Sequence, residues 1–126
     1  MAVGVLIITH DGIGDAVLAT AGNVFGRPPL ATRSLAVGPD VDPEACAREG
    51  LALAAAVNSG DGVLVLSDLY GSTPANVAAR VAQSVGGRLV SGLNLPMLVR
   101  VFNYPQLPLD ELANRAVEGG RAGVVI

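Results

Sequence analysis

Two short segments, Val3-Gly4-Val5-Leu6-Ile7-Ile8 and Val63-Leu64-Val65-Leu66, carry no polar side chain at any position. A short strand without alternation has no face to offer water, so each must lie in a sheet covered by helices on both sides. The first run ends in Thr9-His10-Asp11-Gly12 and the second in Ser67-Asp68. An imidazole and a carboxylate therefore stand at equivalent strand ends. In a parallel sheet both emerge at the carboxyl edge, where open α/β sheets place their chemistry. If the two strands are neighbours, the side chains come within hydrogen-bonding reach.

The remaining chain alternates strand and helix from end to end. Asp11 to Asp15 has turn composition, and Ala16 onward supports a helix to about Gly26, which Arg27-Pro28-Pro29 closes. A strand is expected over about Ala31 to Val37. Asp42 then reads as an N-cap, with Pro43 at the first helical position of a helix reaching about Asn58. On that helix Cys46, Leu53 and Val57 share a face, and the lone cysteine reads as a small core residue. After Asp68, the hydroxyl residues and proline of Ser72-Thr73-Pro74 open a third helix, along which Val77, Val81 and Val85 recur every four residues. A strand near Arg88 to Gly92, a short helix from Asn94-Leu95-Pro96 and a helix from Asp110 to Val117 follow. Gly119-Gly120 then leads to a terminal strand, about residues 120–126, whose pairing partner is left open. The pattern predicts one domain over residues 1–126, a three-layer α/β/α sandwich around a mostly parallel, doubly wound sheet.

The charge balance narrows the partners. Eight arginines and no lysine stand against eleven acids, a formal charge of -3 that provides no footprint for nucleic acid or an anionic membrane. No apolar run approaches the roughly 20 residues that span a bilayer, and no basic flank precedes the first, so a cytoplasmic location is expected. One cysteine and one histidine make neither a disulfide nor a Cys/His metal cluster, so no metal is expected. Without a Gly-Lys-Ser/Thr sequence there is no Walker-type loop, and no cofactor is expected.

A neutral imidazole whose Nδ1–H is held by a carboxylate presents the Nε2 lone pair as a nucleophile. Asp68 is the best candidate for the carboxylate; Asp11 is closer in sequence, but adjacent side chains diverge. Gly71, Ser72 and Thr73 would add amide donors at a helix start and two hydroxyls, the groups a phosphoryl oxygen requires. His10, Asp68 and residues 71–73 together point to phosphoryl transfer through a phosphohistidine.

Ile8-Thr9-His10, the stretch from Gly62 to Asn76 containing Ser67-Asp68-Leu69-Tyr70-Gly71-Ser72-Thr73-Pro74, and Gly92-Leu93-Asn94-Leu95-Pro96-Met97-Leu98 together resemble the mannose-type enzyme IIA of the bacterial sugar phosphotransferase system (PTS). The resemblance covers nearly the whole chain. It implies a homodimer that exchanges its C-terminal strand, here Gly120 to Ile126. It further implies that His10 accepts a phosphoryl group from the phosphohistidine of the carrier protein HPr and passes it to an enzyme IIB or a regulatory protein. Asp68 matches the active-site carboxylate and Thr73 the hydroxyl residue before proline. Three positions depart: Asp11 stands where the family usually has Gly, Ser72 where it has a second Gly, and Thr73 where serine is commoner. No fused enzyme IIB or membrane component is expected.

Two other classes compete. A regulatory module of the same fold would not need His10 for binding, and a flavodoxin-like domain would hold a phosphate-bearing cofactor at the same edge. With two Phe, two Tyr and no Trp, the chain has few side chains to stack a flavin ring. Arg27, Arg33, Arg80 and Arg100 are candidates for a surface that docks an acidic partner.

Overall fold

The computed structural model describes residues 2–126. Among the described residues the elements run β1 (Gly4–His10), α1 (Ile13–Val24), β2 (Thr32–Val37), α2 (Pro43–Val57), β3 (Val63–Ser67), α3 (Thr73–Val85), β4 (Arg88–Ser91), α4 (Leu95–Phe102) and α5 (Leu109–Ala122). The strands form one sheet in the order β2-β1-β3-β4, and every pairing is parallel. From β1 the chain moves outward to β2, then returns past β1 to β3 on its other side. The order thus reverses between β1 and β3, and the crevice at such a reversal is the binding position of doubly wound sheets.

The unbroken apolar runs become the middle of the sandwich. Side chains of successive strand residues point to opposite faces. Val5, Ile7, Leu64 and Leu66 enter one core with Leu98, Phe102 and Leu112 of α4 and α5, while Leu6, Ile8, Val63 and Val65 enter another with Cys46, Val77 and Val81 of α2 and α3. Phe25 and Phe102 meet edge to face in the first core, their ring centroids 5.8 Å apart. Cys46 is buried in the second, and burial pushes its thiol above the usual range, as expected for a packing residue. The caps expected from sequence form: Asp42 accepts from the Glu44 amide at 3.2 Å, with Pro43 opening α2.

Two boundaries are corrected. α1 begins at Ile13, inside the stretch expected as turn, because the Gly14 amide donates to Thr9 Oγ1 at 2.8 Å and draws the helix start onto β1. A Cβ on Gly14 would lie 2.8 Å from both Ile7 Cγ2 and Ser34 Oγ, so this approach requires glycine. At the other end, Gly119 and Gly120 do not stop the last helix. They are buried within α5, which continues to Ala122, so residues 120–122 are its last turn and not the beginning of a strand. The reason is packing: the missing side chains let α5 lie directly on α4, where a Cβ on Gly119 would collide with Arg100 Cβ and stand 3.2 Å from the Pro96 carbonyl oxygen. The intrinsic helix cost of glycine, roughly 1 kcal/mol each, is outweighed by that contact. Among the described residues, Val124 to Ile126 pair with no strand.

Gly119→Leu is expected to destabilise the fold by about 1–3 kcal/mol through overpacking. Urea unfolding measures this, and an unchanged midpoint would show that α4 and α5 are not in tight contact.

Candidate functional site

His10 is the last residue of β1, and Asp68 follows the last residue of β3. The register Ile8↔Ser67 sets the two side chains across one strand spacing at the carboxyl edge. His10 Nδ1 and Asp68 Oδ2 are 2.8 Å apart, and the same oxygen accepts the His10 backbone N–H at 3.2 Å. Asp68 therefore holds both the ring and the strand end beneath it. The imidazole side chain is 42% exposed and the carboxylate only 9%. The Asp68 carboxylate accepts a hydrogen bond from Nδ1–H, which keeps the proton on Nδ1 and makes Nε2 the nitrogen with the free lone pair. Asp68 Oδ1 is buried, with no hydrogen-bond partner among the described residues.

His10 opens on a cleft of about 510 Å³, lined also by Asp11, Val37, Gly38, Pro39, Val41, Pro43, Thr73 and Pro74. Thr73 is the first residue of α3, so its amide has no acceptor within the helix. Ser72 serves the turn instead. Its hydroxyl accepts the Ala75 amide at 3.3 Å and donates to the Leu69 carbonyl at 2.6 Å. Gly71 adopts φ +81, the left-handed region that favours glycine, and lines a separate hollow with Tyr70, Ala75, Asn76 and Ser91. Of the three residues expected to meet a phosphoryl group, Thr73 alone borders the His10 cleft.

Gly38, Pro39 and Val41, between β2 and α2, and Pro43, the first residue of α2, form one wall of the cleft. Its place beside His10 follows from the pairing of β2 with β1, His10↔Val37, which no local pattern encodes. Asp11 also borders the cleft, with its carboxylate exposed and its amide donating to the Val37 carbonyl at 3.3 Å. Its φ of +35 is left-handed, a conformation that costs most side chains about 1 kcal/mol or more and that Asp tolerates better than most. None of Arg27, Arg33, Arg80 and Arg100 lines this cleft. Arg80 donates twice to Glu44, at 3.0 and 3.1 Å, and that guanidinium holds the Glu44 carboxyl below its usual range. Among the described residues no three His, Cys, Asp or Glu side chains converge as metal ligands, and no helix is long and apolar enough to cross a membrane.

Residues 4–117 match the family described as "PTS system fructose IIA component". The "PTS system mannose-specific EIIAB component" of Escherichia coli strain K12 is 32% identical over 127 residues, covering 98% of this chain and 39% of that protein. The chain thus spans about two fifths of the length of the curated relatives it matches. Among solved structures, the mannose/sorbose-specific IIA subunit of the phosphotransferase system from Enterococcus faecalis superposes with a TM-score of 0.85 at 27% identity, covering 100% of this chain and 95% of that one. The phosphotransferase component EIIA from Streptococcus agalactiae has the same fold, with a TM-score of 0.81 at 23% identity over 98% of this chain and 96% of that one.

In ¹⁵N spectra the neutral His10 ring is expected to be the Nδ1–H tautomer, and Asp68→Ala should abolish that preference. An unchanged tautomer in the variant would remove Asp68 as the group that sets it.

Proposed function

Because the chain belongs to the fructose/mannose-type IIA family of the phosphotransferase system, we propose that it is a phosphocarrier that takes a phosphoryl group from phospho-HPr onto His10 and delivers it to an enzyme IIB or a regulatory protein. The observation that carries this reading is the 2.8 Å contact between His10 Nδ1 and the buried Asp68 carboxylate, which directs Nε2 to the exposed side.

The Nε2 lone pair attacks phosphorus as the nitrogen–phosphorus bond of the donor phosphohistidine breaks. The bonding electron pair returns to the donor ring, and no water or metal takes part. Nδ1 keeps its proton throughout, so the His10 ring becomes a cationic phosphoimidazolium. Asp68 favours that charge, since its buried carboxylate lies 2.8 Å from the ring nitrogen that carries the proton. The Thr73 hydroxyl and first-turn amide supply donors to the equatorial oxygens, while Ser72 and Gly71 hold the turn that presents them. Delivery to the acceptor is the same displacement run outward. The reading places the domain in the cytoplasm, with no cofactor.

The homodimer belongs to the same proposal. β4 is an edge strand with one flank unpaired, and such edges are usually covered. Beside it lies a groove of about 580 Å³ bordered by Leu89, Ser91, Gly92, Met97, Val117 and Val124. The tail residues Val124 and Val125 are 79% and 82% exposed, an apolar segment with no place in its own core. Exchange of this tail onto the β4 edge of a second copy would cover both.

Incubation with phospho-HPr is expected to label the wild-type chain and not His10→Ala; label retained in that variant would overturn the assignment. Asp68→Asn should slow transfer by roughly 10-fold or more while leaving the fold intact, because a charge-assisted hydrogen bond weakens by about 1.5 kcal/mol or more. For the dimer, deletion of residues 124–126 should convert a sedimenting dimer into a monomer, whereas an unaltered dimer would exclude exchange of the tail.

A further inference from the structure

The cleft that His10 opens on contains a carboxylate and no cation. Asp11 lines it directly, and the remaining walls are Val37, Gly38, Pro39, Val41, Pro43, Thr73 and Pro74. The ion pairs among the described residues are His10–Asp68, Arg80–Glu44, Arg88–Asp110 and Arg115–Glu118, so none of the described cations is paired with Asp11. It keeps a left-handed backbone, φ +35, that a glycine would adopt without penalty. A phosphoryl group arriving at His10 Nε2 therefore meets negative charge from Asp11 beside it and Asp68 behind it, and among the described residues no arginine lines the cleft. Near that acid, Ile13 at the start of α1 and Val41 in the loop between β2 and α2 are exposed apolar side chains, at 46% and 39%.

We propose that Asp11 is a specificity-determining residue, making transfer through His10 depend on a partner protein that brings a cationic side chain into the cleft together with the phosphoryl group. This rests on the phosphocarrier reading and adds to it what the partner must carry: an arginine or lysine flanked by apolar side chains. Seated between Asp11 and the phosphoryl oxygens, that cation neutralises both. Small phosphorylated anions, which bring no cation, meet uncompensated repulsion. Asp11 touches neither Asp68 nor the attacking nitrogen by any hydrogen bond, so its influence is on which donor approaches.

Two donors separate this from a structural role. Phospho-HPr is the protein donor, and phosphoramidate is a small anion that phosphorylates imidazoles without bringing a side chain. With Asp11→Asn, kcat/KM from phospho-HPr is expected to fall about fivefold, the upper range for one exposed ion pair, and the deficit should shrink at high salt. Labelling of the same variant by phosphoramidate should rise about twofold or more as repulsion is removed. Asp11→Gly, whose backbone suits the position, should behave alike and guards against misfolding of the Asn variant. Changes in the same direction with both donors, or no change with phospho-HPr, would overturn the proposal. Absence of transfer from phospho-HPr to the wild-type chain would instead overturn the phosphocarrier reading and the proposal with it.

Discussion

The contact between His10 Nδ1 and Asp68 Oδ2, 2.8 Å long, depends on more of the molecule than any other interaction at the site. It joins residues 58 apart in sequence and exists because β1 and β3 are neighbours in parallel register, Ile8 opposite Ser67. That adjacency requires both strands to be apolar on both faces, so that helices can cover the sheet above and below. Burial of Asp68 beneath the ring then follows. The core does more than provide stability: it sets the depth at which one carboxylate can hold one imidazole while the far nitrogen of the ring stays in reach of a partner.

Around this pair the cleft is assembled from pieces with separate local causes. Gly14 lets α1 close onto Thr9 and Ser34, which fixes the turn that carries Asp11. Ser72 caps α3 and, with Gly71 at φ +81, sets Thr73 at the helix start. Pairing of β2 with β1 brings the wall from Gly38 to Pro43 alongside. The result has hydrogen-bond donors on one side and a carboxylate on the other.

The opposite flank shows the same economy of small residues. Gly119 and Gly120 let α5 lie on α4, extending the helix to Ala122 and leaving only a short apolar tail beyond it. The open β4 edge and the exposed tail border the same groove.

Much of the fold was legible because periodicity and caps are local. Unbroken Val/Ile/Leu runs, Asp42-Pro43 and Ser72-Thr73-Pro74 each encode their element through burial or through amides that need an acceptor, and the four strands and the helix starts at Pro43, Thr73 and Leu95 stand close to where these signals put them. His10 and Asp68 were recognisable as strand-end polar residues for the same reason. What local pattern could not supply was neighbourhood. Strand order decided that Pro39 and Val41 flank His10, and that Gly71 faces a different hollow. Helix packing decided that Gly119-Gly120 continue a helix where glycine pairs ordinarily end one. By itself the sequence determined which segments form elements and which two polar residues end the central strands, because those depend on neighbours along the chain. Only the tertiary structure decided which walls enclose His10 and that Asp11 stands among them without a counter-ion from the described residues, because those depend on contacts between segments far apart in the chain.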